Sequence, residues 1–257
     1  YAAYFNVEPG FELVCRSTHG YQKHVDLYTY KTSGYLMTSA ADFRPGKPGY
    51  QENPLQLTFT PTAQLWISHP GERALYGKGR PSYWAGNGTL PRVNQYKGFA
   101  TVFYDIAPEH PVDFTHLYLP TMEFYLCRVQ GPWVFAQEGD AYCAVYCSAG
   151  LTAQRFGPNA EREFIAPGRR CVWLVRAAQT DEFPSFAAFI TAMLAASLEV
   201  DAQRLACRFE DPVYGVLRSG WNERLSVNGA AMEYGGSDQY GVLELREKQQ
   251  PAADAQA

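Results

Sequence analysis

Between Pro70 and Gly98 the chain carries its densest set of side chains able to hold a charged, ring-shaped ligand. These 29 residues contain six glycines and three prolines, together with Tyr76, Tyr83, Trp84 and Tyr96. Their charges are Arg73, Lys78, Arg80, Arg92 and Lys97 against Glu72 alone, so the segment is net +4 in a chain of formal net charge −4. Aromatic rings offer flat apolar faces to sugar rings, and an arginine fork matches a carboxylate. The combination suits an acidic saccharide, with Trp84, Tyr96, Arg80 and Arg92 as binding side chains and Asn87 and Gln95 as hydrogen-bonding neighbours. The plainer alternative is that the aromatics anchor a large loop and the cations are solvated.

Two histidines flank this segment. His69 stands just before it, and His116 lies among aromatics in the stretch Phe114 to Pro120. Either imidazole is a candidate general acid–base group or ligand, weighed against a hydrogen-bonded structural role. A turn-dense stretch from Asp42 to Asn53 ends in Gln51, Glu52 and Asn53, a second source of polar contacts. The acidic pairs Glu161/Glu163 and Glu210/Asp211 fall in polar turns and are expected to be solvated. No GxSxG, GxGxxG, P-loop or HExxH pattern occurs, which removes the common hydrolase, dinucleotide and zinc-protease readings. The spacing fixes no metal site, so no cofactor is assigned, and a divalent cation is the minor alternative.

These side chains are positioned by short alternating runs. Residues 24–31, 55–60, 64–68, 100–105, 133–136, 142–147 and 171–175 alternate with period two, are rich in β-branched and aromatic types, and are bounded by turn formers. Many strands without intervening helices predict a mainly β chain, a large antiparallel β-sandwich of supersandwich-like extent. One amphipathic helix is predicted near 181–197, with Phe183, Phe186, Phe189, Ile190, Met193 and Leu194 on one stripe and Thr180 or Asp181 as cap. Asn228-Gly229 predicts a type I′ hairpin, because both residues accept positive φ. A single sandwich domain over residues 1–247 and a disordered tail over 248–257 follow from the pattern.

Length and composition bound the rest. At 257 residues and 46% hydrophobic content, the chain is large enough for one extensive core. Its negative net charge argues against a nucleic-acid binder, and no apolar run reaches the roughly 18 residues of a membrane span. The six cysteines show no CxxC pair; Cys143 and Cys147 would stand about 13 Å apart along a strand, so buried free thiols are expected. The sequence opens at Tyr1 close to sheet-like sequence, which suggests a preceding domain.

Several stretches together resemble the C-terminal β-sandwich of heparinase II/III-like polysaccharide lyases. They are Tyr30-Lys-Thr, Gly49-Tyr-Gln-Glu-Asn, Ser68-His-Pro-Gly, Tyr83-Trp-Ala-Gly-Asn-Gly and Ser226-Val-Asn-Gly, spread over residues 24–235. The resemblance implies a missing N-terminal α/α toroid, a cleft between toroid and sandwich, and β-elimination on a uronate-containing polysaccharide. It further implies Asn53 or Arg92 as carboxylate neutraliser and His69, Tyr83 or His116 in proton transfer. The chain departs from the family's pattern at Asn53, where related sequences carry a histidine. The competing reading is a non-catalytic carbohydrate-binding or structural sandwich; a glycoside hydrolase ranks behind both. Compartment is left open, with an extracellular or periplasmic setting ahead of a cytoplasmic one.

Overall fold

The computed structural model describes residues 11–19, 23–233 and 246–247, and the expected tail over 248–257 lies outside them. Strand accounts for 48% and helix for 6%, and all the strand pairing is antiparallel, so the molecule is a mainly β sandwich with no closed barrel. A nine-stranded sheet runs in the order Thr152–Ala153, Glu163–Pro167, Phe114–Tyr118, Gln64–Ser68, Leu55–Thr58, Leu36–Ala41, Lys23–Lys31, Phe11–His19, Arg246–Glu247. Against it lies a six-stranded sheet ordered Arg92–Tyr96, Phe99–Asp105, Arg170–Gln179, Ala141–Cys147, Trp133–Glu138, Leu126–Gln130. A five-stranded sheet runs in chain order from Leu198–Asp201 to Ala230–Ala231.

The six-stranded sheet is the middle layer. Its Val102, Val134, Val145, Trp173 and Val175 interleave with Met37, Leu57, Leu65, Ile67 and Leu117 of the nine-stranded sheet. Its opposite face, carrying Phe99, Phe135, Tyr142 and Leu174, packs on Phe209, Leu217 and Leu225 of the small sheet and on the helix. Burial on both faces explains the near-continuous apolar runs at 141–147 and 171–175, where a two-residue alternation was expected. Alternation survives only where one face meets solvent.

The helix spans Phe186–Ala195 and buries Phe186, Phe189, Ile190 and Met193. Its cap is Ser185, whose hydroxyl accepts from the Ala188 amide at 3.1 Å, rather than Thr180 or Asp181. Pro184 therefore precedes the cap, and Phe183 joins the same apolar cluster from the approach to the helix. Leu194 departs from the expected stripe and is exposed. The predicted hairpin is present: Asn228 and Gly229 have φ of 52° and 85°, and Val227 pairs with Ala230. The five cysteines whose side chains are described are unbridged, and Cys143, Cys147, Cys171 and Cys207 are buried.

One charged cluster joins the layers. Arg176, wholly buried on the middle sheet, donates from Nε to Asp211 Oδ2 at 2.6 Å and from Nη2 to Glu182. The Tyr214 ring lies 4.1 Å from the guanidinium carbon. Burial alone would lower the guanidinium pKa, but Tyr214, Asp211 and Glu182 more than offset it and raise it. Asp211, expected on a solvated turn, is thus an interior counter-ion; its Oδ1 also accepts the amides of Val213 and Tyr214 at 2.8 and 2.9 Å. Replacing Arg176 by Met leaves two carboxylates without their cation and is expected to cost about 3–5 kcal/mol. The check is urea denaturation, where an unchanged midpoint would mean that the cluster contributes nothing to stability.

Candidate functional site

The long loop is laid on the solvent side of the nine-stranded sheet by sheet register. Gln56 stands opposite Trp66, Trp66 opposite Tyr118, and Tyr118 opposite Glu163. Because Leu57, Ile67, Leu117 and Phe164 point into the core, this row lies on the outer face. The loop leaves the sheet after Ser68, folds back through a Gly71 amide to Ser82 carbonyl bond of 2.9 Å, and is tied to the 42–53 turn by reciprocal Gly49–Asn87 backbone bonds of 2.8 and 3.0 Å. Gly86 is obligatory there: its φ is +80°, and a Cβ would stand 2.2 Å from the Tyr50 carbonyl oxygen.

Under the loop sits a buried carboxylate. Glu163 Oε1 accepts from the Tyr83 hydroxyl at 2.6 Å and from His116 Nδ1 at 2.7 Å, while Oε2 accepts from Asn159 Nδ2 at 2.9 Å. Trp84 closes the assembly from above. Its ring stacks on His116 at 4.2 Å with an interplanar angle of 9°, and its Nε1 donates to Asn159 Oδ1 at 3.3 Å. Burial pushes the Glu163 carboxyl up, but the hydrogen bonds from His116, Tyr83 and Asn159 outweigh it and the net shift is downward. Burial lowers the His116 pKa against the pull of Glu163, and burial followed by Glu163 raises that of Tyr83. The resulting state is an ionised Glu163 accepting hydrogen bonds from a neutral imidazole and a neutral phenol. The His116 ring is enclosed beneath Trp84, and a backbone interaction with Tyr83 opposes burial without overcoming it.

The structure thus brings together three of the expected site residues, Tyr83, Trp84 and His116. The others lie elsewhere. His69 is buried in a second pocket, with its Nε2 3.2 Å from the Val112 carbonyl and its ring 4.4 Å from that of His110. Asn87 is a wholly buried staple: its Oδ1 accepts from the His69 amide and the Tyr104 hydroxyl, and its Nδ2 donates to the Glu52 carbonyl. The loop ends at Pro91, because 92–96 forms an edge strand of the middle sheet. On that strand Arg92 pairs with Asp42 at 2.7 Å, Gln95 is buried against the carbonyls of Met37 and Lys97, and Tyr96 packs on Tyr214. These three belong to the scaffold and do not share the Glu163 assembly. Gln51, Asn53 and Arg80 are exposed on turns.

Glu163 and Asn159 were not legible as site residues. Glu163 was expected to be solvated with Glu161, yet it is 2% exposed on the strand Glu163–Pro167. Two of its three partners, Tyr83 and His116, are 80 and 47 residues away in the chain, so no local pattern announces the assembly. Among the described residues no three His, Cys, Asp or Glu side chains converge as a metal site. Comparison with family models, curated proteins and solved structures finds no match to this chain.

Two outcomes follow. Glu163→Ala strands two buried donors, Tyr83 and His116, each worth about 1–3 kcal/mol when unsatisfied, and is expected to lower the denaturation midpoint and loosen the loop to proteolysis. Acid should also weaken the fold through the histidines. His69 is pushed from 6.5 down to about 3, chiefly by burial and then by His110, and His116 is lowered as well. Below pH 6.5 the unfolded chain takes up protons that the folded chain refuses, so stability is full above that pH and falls as pH drops toward 3. Unfolding free energy measured from pH 6.5 down to 4 should decline by up to about 1.4 kcal/mol per pH unit through His69, with His116 acting in the same direction. His69→Asn should flatten the slope; a profile identical to wild type would remove His69 from the account.

Proposed function

We propose that this chain is the glycan-contacting β-sandwich of a protein acting on acidic polysaccharide, and that its own part is binding. The observation that carries this reading is the contrast between the two sides of the loop. Beneath, Tyr83, Trp84 and Asn87 fasten it through buried hydrogen bonds. Above, Tyr76 is 85% exposed beside the exposed Lys78 and Arg80, and the tethered 42–53 turn adds Tyr50, 54% exposed, and Lys47. Exposed aromatics on a braced backbone lose little conformational freedom on binding, and the cations attract a polyanion.

A second reading, β-elimination of a uronate polymer as in heparinase II/III-like lyases, is favoured by the meeting of Tyr83 and His116, residue types able to move a proton. It needs Trp84 to move aside, because both groups are engaged with Glu163 beneath it. The arm that would remove the 4-linked sugar then depends on a toroid outside this chain.

Titration of the chain with oligogalacturonate should give an affinity that falls as salt rises. Replacing Lys78 and Arg80 together by Ala is expected to weaken binding about tenfold and flatten the salt dependence. Retained affinity in that variant would remove the loop from the binding surface. Accumulation of unsaturated uronate ends, followed by ultraviolet absorbance, would instead establish the lyase reading, and Tyr83→Phe should abolish it.

A further inference from the structure

We propose a saccharide subsite on the outer face of the nine-stranded sheet, built on Trp66 and Tyr118, that takes a pyranose unit bearing a carboxylate. The inference rests on the acidic-glycan reading above and adds a place and a set of side chains to it. Register aligns Thr29, Thr38, Gln56, Trp66 and Tyr118 in one row across five neighbouring strands. At about 4.8 Å per strand the row covers roughly 19 Å of solvent-facing sheet. Its aromatic end is pre-ordered. The Trp66 and Tyr118 rings are parallel within 14° at 4.0 Å, and Trp84 meets both edge-on at 84°.

Beside this pair is a recess of about 350 Å³, whose walls include Pro120, Gln64, Glu123 and Arg162. The volume suits one sugar ring with its substituents. Gln64 is held in place by the Gln56 amide, which donates to its Oε1 at 2.7 Å. Arg162 and Glu123 are exposed and form no ion pair among the described residues, which leaves a guanidinium and a carboxylate free on the rim. The C–H face of a pyranose packs on the aromatic pair, its carboxylate takes the Arg162 fork, and a hydroxyl donates to Glu123. The subsite joins the loop surface through Trp84, which touches Trp66 and Tyr118 on one side and belongs to the loop on the other.

The test is titration of tetragalacturonate and of its fully methyl-esterified form into the full chain, followed by calorimetry and tryptophan fluorescence. Arg162→Gln is expected to weaken the acidic tetramer about tenfold and to leave the ester unchanged. Trp66→Ala should weaken both; Glu123→Gln, at an exposed position, serves as a second variant should Trp66→Ala disturb the sheet. Wild-type affinity in both Arg162→Gln and Glu123→Gln overturns the subsite. If the Lys78/Arg80 double variant loses binding in that same experiment, the acidic-glycan reading stands without it. Failure of the wild-type chain to bind tetragalacturonate or any sulfated or glucuronate-containing oligosaccharide overturns both.

Discussion

A guanidinium sealed inside the middle sheet has to be neutralised, and the layering of this protein is arranged around that requirement. Arg176 is tolerated only because Asp211 from the small sheet and Glu182 from the approach to the helix reach it. An unpaired buried charge would cost several kcal/mol, so the small sheet and the helix approach are fixed against the middle sheet as a condition of folding. Tyr35 of the nine-stranded side adds a hydrogen bond to the Ala177 carbonyl next door at 3.2 Å, and the Gly98 carbonyl accepts from the Ala177 amide at 2.7 Å. The turn between Tyr96 and Phe99 is thereby anchored beside the same cation.

The Glu163 assembly repeats the logic with the sign reversed. Here a buried anion collects donors from a strand, a loop and a connecting segment. An apolar side chain would pack there without specifying where the loop lies, whereas a carboxylate with three donors at 2.6–2.9 Å admits one arrangement. The same economy bears on chemistry. A tyrosine and a histidine spent on holding a loop are poorly placed to move a substrate's proton, which is the ground on which binding, rather than cleavage, is proposed for this chain.

What could be read from the sequence divides by range. Strand-forming runs, the Phe186/Phe189/Ile190/Met193 stripe and the Asn228-Gly229 turn depend on neighbours a few residues away, and all were legible. Arg92–Tyr96 was absorbed into the loop because Asn94 and Gln95 are buried by contacts from other strands, so its polar composition hides a strand. Glu163 and Asp211 looked like surface acids since the partners that bury them, Tyr83 and His116 for the one and Arg176 for the other, stand 35 to 80 residues away. Of the candidate site, the residue types at Tyr83, Trp84 and His116 were visible, and the carboxylate that gathers them was not.

The double burial of the middle sheet has a consequence for its sulfur. Cys143, Cys147 and Cys171 sit on strands covered on both sides, with Cys171 Sγ 3.3 Å from the Thr115 hydroxyl. All three point toward the nine-stranded sheet, so no small reagent reaches them while that interface is closed. These thiols therefore act as a tally of rare openings. The rate at which an alkylating agent consumes them reports how often the nine-stranded sheet lifts from the middle one, a clock for that single interface written in three atoms.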